Sequence, residues 1–168
     1  VRGATPAIVE LERAGVPFRV HEFDHDALAL DDGRGFGRLA AEALGVEPDR
    51  VFKTLLADVV DSGGRVAGQV VGIVPVTTHL SLKELAGAAG AKRAEMCAPA
   101  VAQRITGYVV GGISPFGQRK RLRTVVDETC ELFDTIFVSG GRRGLDLEIA
   151  PADLVAVLDA TVAAIAAW

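Results

Sequence analysis

Hydrophobic positions along this chain switch repeatedly between a two-residue and a three-to-four-residue period. In VPFRVHEF, Val16, Phe18 and Val20 alternate with Arg19 and His21, which predicts a half-buried strand. VFKTLLADVV and VAGQVVGIVPV are two β-rich runs separated by Asp61-Ser-Gly-Gly64, the pattern of a hairpin. KRAEM, TVVDE, TIFVSG and LDLEIA predict further short strands, and Gly107 to Gly117 mixes an apolar strand with a glycine–proline turn. Helical signals lie between them. Thr5-Pro6 has the form of an N-cap with proline at the first helical position, followed by Ala7, Ile8 and Leu11 on one face and Gly15 as a stop. Leu39 to Leu44 reads as a short helix closed by Gly45, and Ser81-Leu-Lys-Glu84 as a capping box opening a helix that ends at Gly90. Pro99 to Ile105 looks helical, and Pro151 starts a last helix expected to run to Trp168. Asp24 to Gly37 is polar and glycine-rich and reads as a loop. Strands and helices mix without regular βα alternation, so the expected class is α+β with a mixed sheet flanked by helices.

Composition narrows the function. The 168 residues are expected to form one domain, 1–168, with 49% hydrophobic and 24% charged positions, which excludes general disorder. A net charge of −4 disfavours a general nucleic-acid binder unless a local basic patch exists. One does: Gln118-Arg-Lys-Arg-Leu-Arg123 carries four positive charges and no negative one, leaving −8 on the remainder. A solvated face and contact with RNA phosphates are both open readings of that strip. Cys97 and Cys130 form no CxxC pair, so a disulfide framework and a zinc site have no support, and both read as buried thiols in a reducing compartment. No apolar run approaches the roughly 18 residues of a membrane span. A soluble cytoplasmic protein is expected, with no cofactor and no metal.

Two motifs mislead. His21-Glu-Phe-Asp-His25 matches H-E-x-x-H, but the metal pattern needs a helix to bring both imidazoles to one face. On a strand, four residues span roughly 13 Å, too far for one zinc. Gly33, Gly35 and Gly37 have the wrong spacing for a dinucleotide turn. Three stretches are better candidates for chemistry. Lys53-Thr54 places an ammonium at the start of an apolar strand, where burial would lower its pKa, unless the side chain snorkels at a sheet edge. GYVVGGISPFGQ places Gly111 and Gly112 where backbone N–H groups could meet a carbonyl oxygen, or form an ordinary tight turn. VSGGRRGLD, from Val138 to Asp146, has the composition of a loop that cradles an anion or a ribose, or of a turn with solvated arginines.

VFKTLL, GAKRAEM, VAQRITGYVVGGISPFGQRKRL and VSGGRRGLDLEI closely resemble the YbaK family of aminoacyl-tRNA deacylases, relatives of the editing domain inserted in bacterial prolyl-tRNA synthetase. The resemblance covers nearly the whole chain. It implies a mixed, curved sheet with a pocket, and hydrolytic removal of cysteine from mischarged Cys-tRNA(Pro), with Ala-tRNA(Pro) or another mischarged tRNA as the alternative and a non-catalytic tRNA- or synthetase-binding module as the rival class. It also implies roles. Lys53, Gly111, Gly112 and Asp146 fall at catalytic positions; Phe23, Phe36, Thr54, Ser139 and Gly141 fall at substrate-binding ones. Phe23 stands where a relative can carry tyrosine, so it offers packing without a hydroxyl. Arg119, Lys120, Arg121 and Arg123 become candidates for the tRNA backbone, the tRNA(Pro) 3′ end becomes the expected partner, and prolyl-tRNA synthetase a second one. The implied chemistry is substrate-assisted: the cysteine thiol of the substrate attacks its own ester carbonyl.

Overall fold

A computed structural model describes residues 4–24 and 35–168, without the side chains of residues 35 and 36. Thr5 caps α1 (Pro6–Ala14) by accepting from the Ile8 N–H, and Gly15 ends it in the left-handed conformation. β1 (Phe18–Glu22) follows, then α2 (Gly35–Leu44) and a 3-10 turn, Pro48–Arg50. The hairpin is β2 (Phe52–Val60) and β3 (Val66–Pro75), antiparallel from Phe52–Pro75 onward. Then come β4 (His79–Leu80), α3 (Leu82–Ala88), β5 (Arg93–Met96), α4 (Pro99–Thr106), β6 (Arg123–Asp127), β7 (Ile136–Arg142), β8 (Leu145–Ile149), α5 (Pro151–Leu158), β9 (Thr161–Ala163) and β10 (Ala166–Ala167). The strands form a five-stranded sheet ordered β5-β2-β3-β6-β9, a three-stranded sheet β1-β8-β7 and a β10-β4 ribbon. In the largest sheet β3–β6 and β6–β9 are parallel and the other pairs antiparallel, so the mixed α+β expectation holds.

The main core lies between the two larger sheets. Phe52, Leu56, Val71 and Ile73 face Ile136, Val138, Leu147 and Ile149, with α1 and α5 closing the sides. Alternation along β2 sends Ala57 and Leu55 to the opposite face, where Val70, Leu85 and Ile165 form a second cluster. Among the described residues the two sheets are joined by one parallel bridge, Val51 to Phe137, over which Ala41 of α2 packs. Arg50 latches that seam: its guanidinium donates to the Thr135 carbonyl at 3.1 and 3.2 Å and to the Thr135 Oγ1 at 2.7 Å, and lies 5.2 Å from the Phe137 ring centre.

Three expectations change. The last helix stops at Leu158, where Asp159 takes φ 50°, and the chain continues as β9 and β10. The alanine-rich tail reads as helix by propensity, but tertiary bonds override it. Asp127, 2% exposed, accepts the backbone N–H groups of Ile165 and Ala166 on Oδ1, both at 2.9 Å, and the Thr129 N–H and hydroxyl on Oδ2. Gly107 to Gly117 contains no strand: Gly107 caps α4 in the left-handed region and Val109 and Val110 are exposed. In β1 the strand is real but Val20 is exposed, because β1 lies at the sheet's edge. His21, on its other face, packs at a tilt against Phe137, with ring centres 5.4 Å apart, and bonds Glu148 at 2.9 Å. His21 therefore lies on a strand, which removes the helix that H-E-x-x-H requires; His25 lies outside the described residues. The glycine-rich loop expected at Asp24 to Gly37 also lies mostly outside them, and its described end, from Gly35, is helix. Among the described residues no helix is long and apolar enough to cross a membrane.

Asp127→Ala leaves buried N–H groups without acceptors, at about 1–3 kcal/mol each. The expected loss is on the order of 3 kcal/mol, read as a lower urea midpoint, with Asp127→Asn losing less because one acceptor remains.

Candidate active site

Just past the bridge, β2 and β7 run in the same direction and separate. Lys53 follows Val51 by two residues and Ser139 follows Phe137 by two, so both stand on the side of the seam that α2 covers. Asp146 of β8 is paired with Ser139 in register. These three side chains, with Phe23, Gly111 and Arg143, line a cavity of about 340 Å³. Thr54 leaves β2 on the opposite face, shared with Phe52 and Leu56, and bounds the same cavity. β5 pairs with β2 only from Ala57, so the edge of β2 at Lys53 and Thr54 is left open to the cavity.

The polar groups here are poorly satisfied by the protein. The Lys53 ammonium donates to the Thr78 carbonyl at 2.7 Å. Burial lowers its pKa, and the charge of Arg38 adds to that effect. Asp146 is 7% exposed and burial alone pushes its carboxyl from an ordinary 3.8 to about 7. The Thr54 hydroxyl, also buried, has no hydrogen-bond partner among the described residues. A buried hydroxyl left so costs about 1–3 kcal/mol, which a bound polar ligand would recover. Ser139 Oγ accepts the Gly141 N–H at 3.2 Å.

The two glycine segments hold each other. The Arg143 guanidinium donates to the Val110 carbonyl at 2.8 and 3.1 Å. A Cβ on Gly112 would stand 2.8 Å from the Arg142 Cα, so only glycine permits this backbone approach. Gly112 does not line the cavity, and its N–H is taken by the Val109 carbonyl at 2.9 Å. It is therefore a packing residue here rather than the oxyanion donor expected from the sequence. Gly111, at φ 89°, does line the cavity. Gly141 lies outside the lining, where a Cβ would meet the Tyr108 ring at 2.9 Å. Phe23 is fixed by its N–H to the Gly144 carbonyl, 2.9 Å. Phe36 belongs to α2, but its side chain is outside the described residues.

None of Arg119, Lys120, Arg121 and Arg123 lines the cavity. Arg121 donates to the Val157 carbonyl at 3.0 Å and Arg123 to the Ala89 carbonyl at 2.9 Å, satisfying the C-terminal ends of α5 and α3. Arg119 packs on Gly107, and Lys120 is exposed. Among the described residues the cations that line the cavity are Lys53 and Arg143, and the charge of Arg38 acts on Lys53. Sequence reading also passed over Cys97, taken there as a buried thiol, which lines the cavity where β5 leaves the sheet. Its only sequence signal was its place between a strand and the proline that starts α4.

The sequence profile of the aminoacyl-tRNA editing domain matches residues 38–157. An Enterococcus faecalis protein, EbsC, named as a candidate Cys-tRNA(Pro)/Cys-tRNA(Cys) deacylase, is 34% identical over 163 residues, 96% of this chain and 92% of that one. The Escherichia coli K12 multifunctional Ser/Thr-tRNA deacylase ProXp-y is 28% identical over 151 residues, 89% of this chain and 84% of the other. A solved structure described as a candidate trans-editing enzyme for prolyl-tRNA synthetase superposes with a TM-score of 0.80 at 22% identity, covering 100% of this chain and 99% of that one, and so shares the fold. The chain belongs to the aminoacyl-tRNA editing domain family. The deacylase class expected from the sequence is the class its named relatives carry.

Asp146 gives a test in pH. Its folded pKa lies above the unfolded one, so between 3.8 and about 7 the folded protein holds a proton that the unfolded chain has released. Stability contributed at this site therefore falls as pH rises through that window. Asp146→Asn removes the titration, and its stability relative to wild type is expected to climb from pH 4 to 7 and level off above. Parallel denaturation curves across that range would sink the assignment.

Proposed function

We propose that this chain is a trans-editing deacylase that removes cysteine from Cys-tRNA(Pro), taking the tRNA 3′ end at the cavity mouth. The observation that carries this reading is the pairing of a half-buried ammonium with an unpartnered, buried hydroxyl on adjacent residues, Lys53 and Thr54. A cation beside a cavity suits a ribose-phosphate end, and the buried wall suits a small side chain. The nearby hydroxyls have no adjacent histidine base among the cavity residues: Ser139 accepts from Gly141, and Cys97 is raised in pKa by burial, then by the charge of Asp58. The substrate thiol supplies the nucleophile instead. Its sulfur bonds to the ester carbonyl carbon, the ester C–O bond breaks, and the thiol proton passes to the departing ribose oxygen. The cyclic thioester then takes up water to release cysteine. The Gly111 N–H faces the developing oxyanion, and Asp146 holds the substrate amino group.

A second reading has its own support. The unpartnered Thr54 hydroxyl would also pair with a substrate hydroxyl, and a relative is named for Ser- and Thr-tRNA. A deacylation panel of Cys-, Ala-, Ser- and Thr-tRNA separates them. Cys-tRNA(Pro) is expected to turn over fastest; equal rates on the serine substrate would end the self-attack mechanism. Prolyl-tRNA synthetase is the proposed source of tRNA selectivity, tested by whether its addition raises the preference for tRNA(Pro).

Lys53→Ala is expected to keep its fold and lose most deacylation, by about 100-fold or more, the scale of an electrostatic stabiliser. Full activity in that variant would remove Lys53 from the reaction. Neutralising Arg119 and Lys120, whose side chains hold no helix carbonyl, is expected to flatten the salt dependence of tRNA binding by about one to two units of log–log slope. An unchanged slope would take the strip out of the tRNA path.

A further inference from the structure

The cavity has two chemically different walls. One carries Lys53, Ser139, Asp146 and Arg143. The other carries Thr54, Leu56, Cys97 and Ala102, of which Leu56, Cys97 and Ala102 also belong to the main core. An aminoacyl ester brings an ammonium, a ribose and phosphates that belong on the first wall, since burying them on the second would cost several kcal/mol. Only its side chain suits the second.

On that second wall Cys97 occupies a corner. Its backbone N–H donates to the Leu56 carbonyl at 3.0 Å, which places it beside the strand position one alternation beyond Thr54. β5 ends at Met96 and α4 begins at Pro99, so the chain turns away at Cys97 and leaves its side chain, 8% exposed, against the cavity. The second observation that points to a ligand is Thr54: the residue lines the same cavity, and its buried hydroxyl has no partner among the described residues.

Building on the deacylase reading, we infer that Cys97 is a specificity-determining residue whose sulfur meets the aminoacyl side chain and selects among small ones. A neutral thiol fits this role. Burial and then Asp58 raise the Cys97 pKa, against a smaller opposing effect of Arg104, so the group stays protonated and is a poor nucleophile. What it offers is a compact, polarizable contact. A sulfur-bearing side chain gains from that contact, a methyl gains less, and a hydroxyl turns to Thr54 instead. Contacts of one small group change selectivity by about 10- to 200-fold.

The test measures kcat/KM on Cys-, Ala- and Ser-tRNA for wild type, Cys97→Ala and Cys97→Ser. Because each ratio is taken within one preparation, a partly unfolded variant leaves it unchanged. Cys97→Ala is expected to lower the Cys:Ala ratio by about 10-fold or more, mainly through the cysteine substrate. Cys97→Ser, nearly the same size, is expected to lower the Cys:Ser ratio and keeps the test alive if the alanine variant fails to fold. Unchanged ratios, or an equal fall on all three substrates, would overturn the inference, the latter by making Cys97 a structural or nucleophilic residue. If wild type prefers serine, the cysteine substrate is wrong, but a Cys:Ala ratio that still falls in Cys97→Ala supports Cys97. A wild type inactive on all three substrates sinks both.

Discussion

The two larger sheets are joined at the Val51–Phe137 bridge and then diverge, and the site depends on that divergence. At Val51 and Phe137 the strands are close enough to bond; two residues later they have opened around a cavity. Had β2 continued to pair with β7, Lys53 and Ser139 would have faced each other across a sheet with no room between them. Arg50 holds the joint closed on one side, through Thr135 and the Phe137 ring, while the apolar cluster of Ala41, Val51 and Phe137 seals it from above. The rigid part of the molecule thus ends where the ligand space begins. That arrangement suits a site in which polar groups must be held without being satisfied by one another.

Holding unsatisfied groups has an energetic cost, visible in three neighbours. Asp146 is pushed toward neutrality by burial, the charged form of Lys53 is disfavoured first by the same cause, and the Thr54 hydroxyl has no partner among the described residues. The surrounding core offsets these penalties. Val138, Leu145 and Leu147, beside Ser139 and Asp146 on the same strands, are fully buried, and Leu56 follows two residues after Thr54. Both faces of β2 and β7 contribute to apolar clusters, so Lys53, Thr54 and Ser139 are each flanked by buried neighbours on their own strands.

Much of this was legible along the chain. The hairpin, the capping box at Ser81 and the proline-started helices are local devices, and they appear where the pattern placed them. Lys53, Thr54, Ser139 and Asp146 could be marked as a set through the family resemblance, and the fold does bring them around one cavity. What stayed hidden was non-local. The alanine-rich tail becomes strand because Asp127, nearly forty residues earlier, captures its backbone. The basic strip looked like one surface, yet Arg121 and Arg123 turn to two different helix ends. Gly111 and Gly112 are neighbours in sequence with different tasks, because only Gly112 lies against the Arg142 backbone. Cys97 carried no signal because its importance comes from where β5 stops pairing with β2.

The Asp127 clasp also bears on how the protein is made. Its carboxylate sits in β6, but the N–H groups it receives belong to residues 165 and 166. On the ribosome, β2, β3 and β6 emerge well before that tail, and N-terminal segments fold first. Until Ile165 arrives, the second apolar cluster lacks a fully buried member and a carboxylate stands open beside it. The cavity is drawn from residues up to Asp146, so all of its lining precedes that tail in the chain. A chain cut short of Ile165 would carry every residue that lines the cavity on a scaffold without this clasp.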